Sequence, residues 1–142
     1  MFLLDSDTYT HYQQGNPKVT ARVQAAPRSS LWLPAIVVEE QLRGRLAVLS
    51  GLNSSRPADS RRTPAAYAIF LKTLFDLNAF QHAEYTPQME ALFQSWPAAV
   101  KRVGTRDCRI AATALVLGFT VITCNLSDYQ PIPDVRTDDW NW

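Results

Sequence analysis

Four acidic residues stand at places where a chain can gather chemistry. Asp5 ends the short apolar run Phe2-Leu3-Leu4, and Glu40 falls near the start of a helical pattern. Asp107 follows Gly104-Thr105-Arg106 at the head of a small-residue helix, and Asp128 comes shortly after the run Phe119–Thr123. In open α/β sheets ligands bind outside the carboxyl ends of the strands, so these four carboxylates can converge from distant parts of the chain. Two carboxylates about 4 Å apart repel by roughly 4 kcal/mol at an effective dielectric near 20. Several such pairs would rival the roughly 5–15 kcal/mol that keeps a domain folded. A cluster of this kind is either partly protonated or held by a cation. All-oxygen ligands favour Mg²⁺ or Mn²⁺ over zinc, and such an ion can activate a water and polarise a phosphoryl oxygen. Taken singly, each acid also has an ordinary structural reading: Asp5 or Asp107 as a helix N-cap, Glu40 as a solvated first-turn residue, Asp128 as a turn residue.

The elements that must position these residues are short. Residues 2–4 read as a buried strand, followed by helix-start chemistry at Asp5-Ser6-Asp7-Thr8. Pro17 and Pro27 bracket a second short helix. Leu31 to Val38 reads as a strand shortened or edged by Pro34. It passes into a helix near Val37–Leu49 with Val38, Leu42, Leu46 and Leu49 at helical spacing. Residues 50–64 are polar and carry Gly51, Pro57 and Pro64, the clearest loop signal in the chain. A long amphipathic helix then sets Tyr67, Phe70, Leu71, Leu74 and Leu77 on one face, and a short strand is expected near Ala83–Tyr85. The helix after Pro87 ends or kinks at Pro97. The Asp107 helix closes at Gly118, which suits a C-cap. Phe119–Thr123 is the strongest strand, with a last short one at Val135–Thr137. Helices alternating with short apolar strands, without hairpin signals, predict an α/β domain with a mainly parallel sheet.

The chain has 142 residues, 46% of them hydrophobic, and a net charge of +1, values that fit one globular domain spanning 1–142. No apolar run is long enough to span a membrane. The N-terminus lacks the basic start and apolar core of a signal peptide, so a cytoplasmic location is expected. Charge is unevenly spread. Lys18, Arg22, Arg28, Arg43, Arg45, Arg56, Arg61 and Arg62 face only Glu39, Glu40 and Asp59 over residues 15–62, and Lys101, Arg102, Arg106 and Arg109 surround Asp107. Such asymmetry fits a polyanion meeting an acidic metal site, or a solvated basic face. Cys108 and Cys124 show no metal or redox spacing and read as reduced, largely buried small residues.

Four segments together resemble PIN-domain proteins, especially VapC-type toxins. Leu3-Leu4-Asp5-Ser6-Asp7 is similar to the family's LLDT(D/N) opening. Val38-Glu39-Glu40-Gln41-Leu42-Arg43-Gly44 resembles its second motif, a Glu with Gly four residues later, and that register selects Glu40 over Glu39. Gly104-Thr105-Arg106-Asp107-Cys108-Arg109-Ile110-Ala111-Ala112 resembles G-x-x-D-x-x-I-A-A. Thr123-Cys124-Asn125-Leu126-Ser127-Asp128-Tyr129 resembles T-x-N-x-x-D-F, with Tyr in place of Phe, and residues 132–140 resemble the family's ending. The third and fourth motifs are the specific ones.

The resemblance implies a three-layer α/β/α sandwich and Mg²⁺- or Mn²⁺-dependent cleavage of RNA, often a tRNA or ribosomal RNA. It makes Asp5, Glu40, Asp107 and Asp128 the metal and catalytic residues. Thr123, Asn125, Ser6 and Asp7 would support them by hydrogen bonds. It further implies a homodimer inhibited by a small VapB-type antitoxin. Arg43 and Arg45, a turn or so beyond Glu40, are candidates for contacting substrate, or else form salt bridges on a helix surface. Tyr9, Tyr12, Val19 and Val23, with Leu42 and Leu46, are expected either to line a groove for the antitoxin's amphipathic helix or to be core. A housekeeping PIN nuclease in RNA processing and a non-catalytic PIN-like RNA- or protein-binding module are the alternative readings.

Overall fold

A computed structural model gives the fold, and it describes residues 1–53 and 61–142. The chain runs β1 (Phe2–Leu4), α1 (Ser6–Gln13), α2 (Pro17–Ala25), a 3₁₀ turn (Arg28–Ser30), β2 (Leu31–Pro34) and α3 (Ala35–Asn53). After the undescribed residues come α4 (Thr63–Leu77), β3 (Gln81–Ala83), α5 (Pro87–Ser95), α6 (Ala98–Lys101), α7 (Thr105–Leu117), β4 (Thr120–Ile122), α8 (Leu126–Tyr129) and β5 (Thr137–Asp138). The strands form one sheet in the order β3-β2-β1-β4-β5, and every pairing is parallel. Central β1 pairs Phe2 with Leu31 on one side, and Phe2, Leu3 and Leu4 with Thr120, Val121 and Ile122 on the other. Because the middle strands are covered on both faces, Leu3, Leu4, Leu31, Leu33, Val121 and Ile122 are all fully buried. Helices flank the sheet in the three-layer α/β/α sandwich expected from the sequence.

Local chemistry sets the helix ends. Asn16 caps α2 by accepting from the Lys18 and Val19 amides, with Pro17 as the first helical residue. Thr86 and Pro87 open α5 in the same manner. Helix α7 is buried on several sides through Cys108, Ile110, Ala111, Ala112, Thr113 and Ala114. Small side chains there let the helix lie close to its neighbours. It stops at Gly118, whose left-handed backbone (φ 70°) suits a residue without Cβ.

Several sequence-based boundaries move. Strand β2 ends at Pro34 and helix α3 starts at once at Ala35. The proline is tolerated in an interior strand because it lies beyond the residues of β2 that pair with β1, Leu31 and Trp32. Ser50–Asn53 continue α3 and Thr63 already belongs to α4, so the expected loop shrinks; its residues 54–60 lie outside the described residues. The third strand is Gln81–Ala83, not Ala83–Tyr85. It is the edge strand, where exposed Gln81 and His82 hide any apolar alternation. The last strand is Thr137–Asp138. On α4 the inward row runs through Phe70, Thr73, Leu74 and Leu77, while Tyr67 and Leu71 join Phe75 on an exposed row. Tyr9, Val19 and Val23 are core residues, the second of the two readings that the sequence left open for them.

Candidate active site

The carboxyl ends of β1 and β4 lie side by side, and the acids gather there. Asp5 leaves β1 with its backbone amide bonded to the Ile122 carbonyl at 3.0 Å, and its side chain caps α1 by accepting from the Thr8 amide at 2.8 Å. The capping role and a place in the acid cluster therefore coincide in one residue. The Thr8 hydroxyl donates to the same Ile122 carbonyl at 2.9 Å, which fastens the start of α1 to β4. Asp5 is only 5% exposed. Burial raises its pKa, opposed by hydrogen bonds from the Thr123 hydroxyl and from Thr8.

Asp107 sits in the first turn of α7, but it does not cap that helix. The N-cap is Gly104, with a φ of 127° that a side-chain-bearing residue rarely adopts. The pKa of Asp107 is pushed up to about 6, first by burial and then by the negative charges of Asp5, Asp128, Asp7 and Glu40. Asp107 thus lies in the combined field of acids from β1, α1, α3 and α8. Asp128 is held from α8, where the Asn125 amide group donates to its carboxylate at 2.6 Å and Ser127 donates to the Asn125 oxygen at 2.6 Å. The Thr123 hydroxyl accepts from the Asn125 amide at 3.0 Å as well as bonding Asp5, so this one buried side chain links two of the acids.

Glu40 enters from α3. One carboxylate oxygen accepts from Arg106 Nη1 at 2.6 Å, and the other accepts from the Ser6 hydroxyl. Its neighbour Glu39 points elsewhere and pairs with Arg43 at 3.1 Å on the exposed helix surface. Arg43 and Arg45 are separated by two residues, roughly 200° around the helix, and so face different grooves. Arg43 lines a cleft of about 480 Å³ with Tyr85, Thr105, Arg106 and Arg109. Arg45 lines a polar depression of about 460 Å³ with Thr10, Gln13, Gln41 and Glu40, and its Nε donates to the Thr73 hydroxyl of α4 at 3.1 Å.

Arg106 and Arg109 join the site without having stood among the candidates read from sequence. Arg109 stacks over Tyr85 and Phe93 at 5.7 and 5.3 Å and lies 3.3 Å from Glu90. Only their position beside Asp107 signals them in sequence. Tyr129 is a further addition: its buried hydroxyl has no hydrogen-bond partner among the described residues and lies in the field of Asp5, Asp107 and Asp128. The cysteines are free, and burial pushes both thiols up, away from the thiolate form.

Among the described residues no three His, Cys, Asp or Glu side chains form a ready metal cage. Glu40 is engaged by Arg106 and Ser6, and Asp128 by Asn125. Mg²⁺ does not require a closed cage, because it keeps several waters and takes one or two carboxylates. The all-oxygen donor set, the like-charge stress on Asp107 and the orphaned Tyr129 hydroxyl fit such a hydrated ion. No helix among the described residues is long and apolar enough to cross a membrane.

No family model and no curated protein matches the chain. Solved structures do. The chain superposes on VapBC-1 from nontypeable Haemophilus influenzae with a TM-score of 0.74 and 20% identity, covering 99% of this chain and 98% of that one. DNA-bound VapBC from Salmonella typhimurium gives 0.73 and 22%, over 98% and 97% of the two chains. A toxin–antitoxin complex from Klebsiella pneumoniae gives 0.65 and 19%, over 95% of each. At these identities the likeness is one of fold, and the fold is the PIN-like sandwich that the sequence motifs implied.

Proposed function

We propose that the chain is a Mg²⁺-dependent endoribonuclease (Mn²⁺ substituting) and the toxin of a toxin–antitoxin pair. The observation that carries this reading is Asp107, held in the field of Asp5, Asp128, Asp7 and Glu40 at the carboxyl edge of a parallel sheet. Carboxyls perturbed in this way by burial and like charge cluster at functional sites. The fold shared with VapBC structures supports the toxin assignment.

Asp5, Asp107, Glu40 and Asp128 would hold the ion, which when bound supplies an activated hydroxide and a Lewis acid for a phosphoryl oxygen. The chain's own groups do the positioning. Thr8 and Thr123 fix the Asp5 carboxylate, and Asn125 fixes that of Asp128. Arg43, Arg106 and Arg109 line a cleft, shared with Glu39, where a phosphodiester backbone would be held by guanidinium groups. Base identity would be read by groups outside this cleft, so the acids and arginines set the chemistry but not the RNA target.

The partner would be a VapB-type antitoxin, by analogy with the complexes that share the fold. Helix α3 presents Val38, Leu42 and Leu46 to an apolar groove of about 630 Å³ that an amphipathic helix would fill. We also place the active form as a homodimer, a C₂ pair being the commonest soluble assembly; exposed Leu71 and Phe75 on α4 are apolar surface for such contacts. Induced expression tests the reading. Growth should stop and new RNA 5′ ends should appear at defined positions, and Asp5→Asn should abolish both. Harmless expression of the parent chain, or arrest that persists with Asp5→Asn, refutes it.

A further inference from the structure

We infer that Arg106 is a positioning residue that competes with the divalent cation for Glu40, so that Glu40 joins the acid group only when the cation displaces the guanidinium. The inference rests on the metal-dependent reading above. Both oxygens of Glu40 are already occupied, one by Arg106 Nη1 at 2.6 Å and the other by the Ser6 hydroxyl. Among the ion pairs of the described residues, this is the one that touches Asp5, Glu40, Asp107 or Asp128.

The pair is built to open. The two side chains are 47% and 29% exposed, and a pair so open to solvent is weak and screened. Arg106 and Glu40 reach each other from α7 and α3 across the mouth of the site, and among the described residues no second basic group is bonded to Glu40. A released Arg106 has a place to go, because it lines the same cleft as Arg43 and Arg109. One guanidinium thus offsets the charge of Glu40 before the cation arrives. It is then available to a phosphate when that offset is no longer needed. A direct cost follows: the parent chain must bind the cation more weakly than its acids alone would allow.

The test is Mn²⁺ binding to the purified chain, read from the electron paramagnetic resonance of free Mn²⁺ without RNA. Arg106→Gln should bind Mn²⁺ roughly two- to fivefold more tightly than the parent, the range expected for losing one exposed ion pair. Arg106→Lys, which keeps the charge, should lie between them. In a Glu40→Gln background the gain from Arg106→Gln should vanish, since the two changes act on one interaction. Equal or weaker Mn²⁺ binding by Arg106→Gln overturns the inference and leaves the nuclease reading intact. So does a gain that persists without Glu40. Absence of Mn²⁺ binding in every variant overturns the metal-dependent reading and the inference with it.

Discussion

Replacing Asp107 by Asn should make the metal-free chain more stable while removing its activity. The pKa of Asp107 is raised from 3.8 to about 6 by burial and by four neighbouring acids. A tenfold weakening of an acid corresponds to about 1.36 kcal/mol, so ionising this residue in the folded state costs at most about 3 kcal/mol. The folded pKa lies above the unfolded one. The favourable contribution is therefore complete below about pH 4 and is lost as pH rises through about 6. Part of the cost is shared with Asp5 and Asp128, so Asp107→Asn should gain about 1–3 kcal/mol at pH 7.5, or about 3–10 °C in melting temperature for a chain of this size. Circular dichroism melts of both chains in EDTA, at pH 7.5 and pH 4, measure this. The gap should be present at pH 7.5 and close at pH 4. Saturating Mg²⁺ should raise the parent and leave Asp107→Asn nearly unmoved. A variant that melts at or below the parent at pH 7.5 in EDTA would show that the acids are not in mutual repulsion.

Further consequences can be measured on single variants. Glu40→Gln should lower cleavage by more than the roughly 10–100-fold that loss of an outer partner of a metal ligand brings. Glu39→Gln, which breaks an exposed pair with Arg43 at the wall of the cleft, should change rates far less than Glu40→Gln in the same assay. Gly104→Ala places a side chain at φ 127° and should cost roughly 1–3 kcal/mol in a denaturant melt. Thr123→Val removes the hydroxyl that serves Asp5 and the Asn125 backbone amide; Asp5 keeps its bond from the Thr8 amide and Asn125 is open to water, so the melt should fall by only about 1 kcal/mol, with activity falling more. Leu46→Asp changes a side chain that is 52% exposed, so the fold should survive while capture of the antitoxin in a co-expression pull-down is lost.

The sheet and its acids are largely legible in the sequence because their signals are local. Asp5 ends an apolar triplet, and Asp107 follows a glycine at a helix start. Asp128 lies a short turn beyond the β-branched run of β4. What stays hidden depends on contacts between distant segments. Glu39 and Glu40 are indistinguishable by composition, and a motif register is needed to prefer Glu40, the one that faces Ser6 and Arg106. The tie between Arg45 and Thr73 exists only because α3 and α4 pack against each other. Helical spacing gathers Tyr67 and Leu71 with Phe70 and Leu74, because apolar character alone cannot say which row of α4 turns inward. Strand β3 escapes its expected place for a related reason: an edge strand with Gln81 and His82 in solvent carries no alternation to read.

The central claim is that this acid cluster cuts RNA with a bound divalent ion. Its most direct test is cleavage of total RNA by the purified chain, with Mg²⁺ titrated from EDTA to millimolar excess. We predict no cleavage in EDTA, recovery with Mg²⁺ or Mn²⁺ to products bearing 5′-phosphate ends, and none at any Mg²⁺ concentration for Asp5→Asn. Full cleavage in EDTA, or undiminished cleavage by Asp5→Asn, would contradict the account.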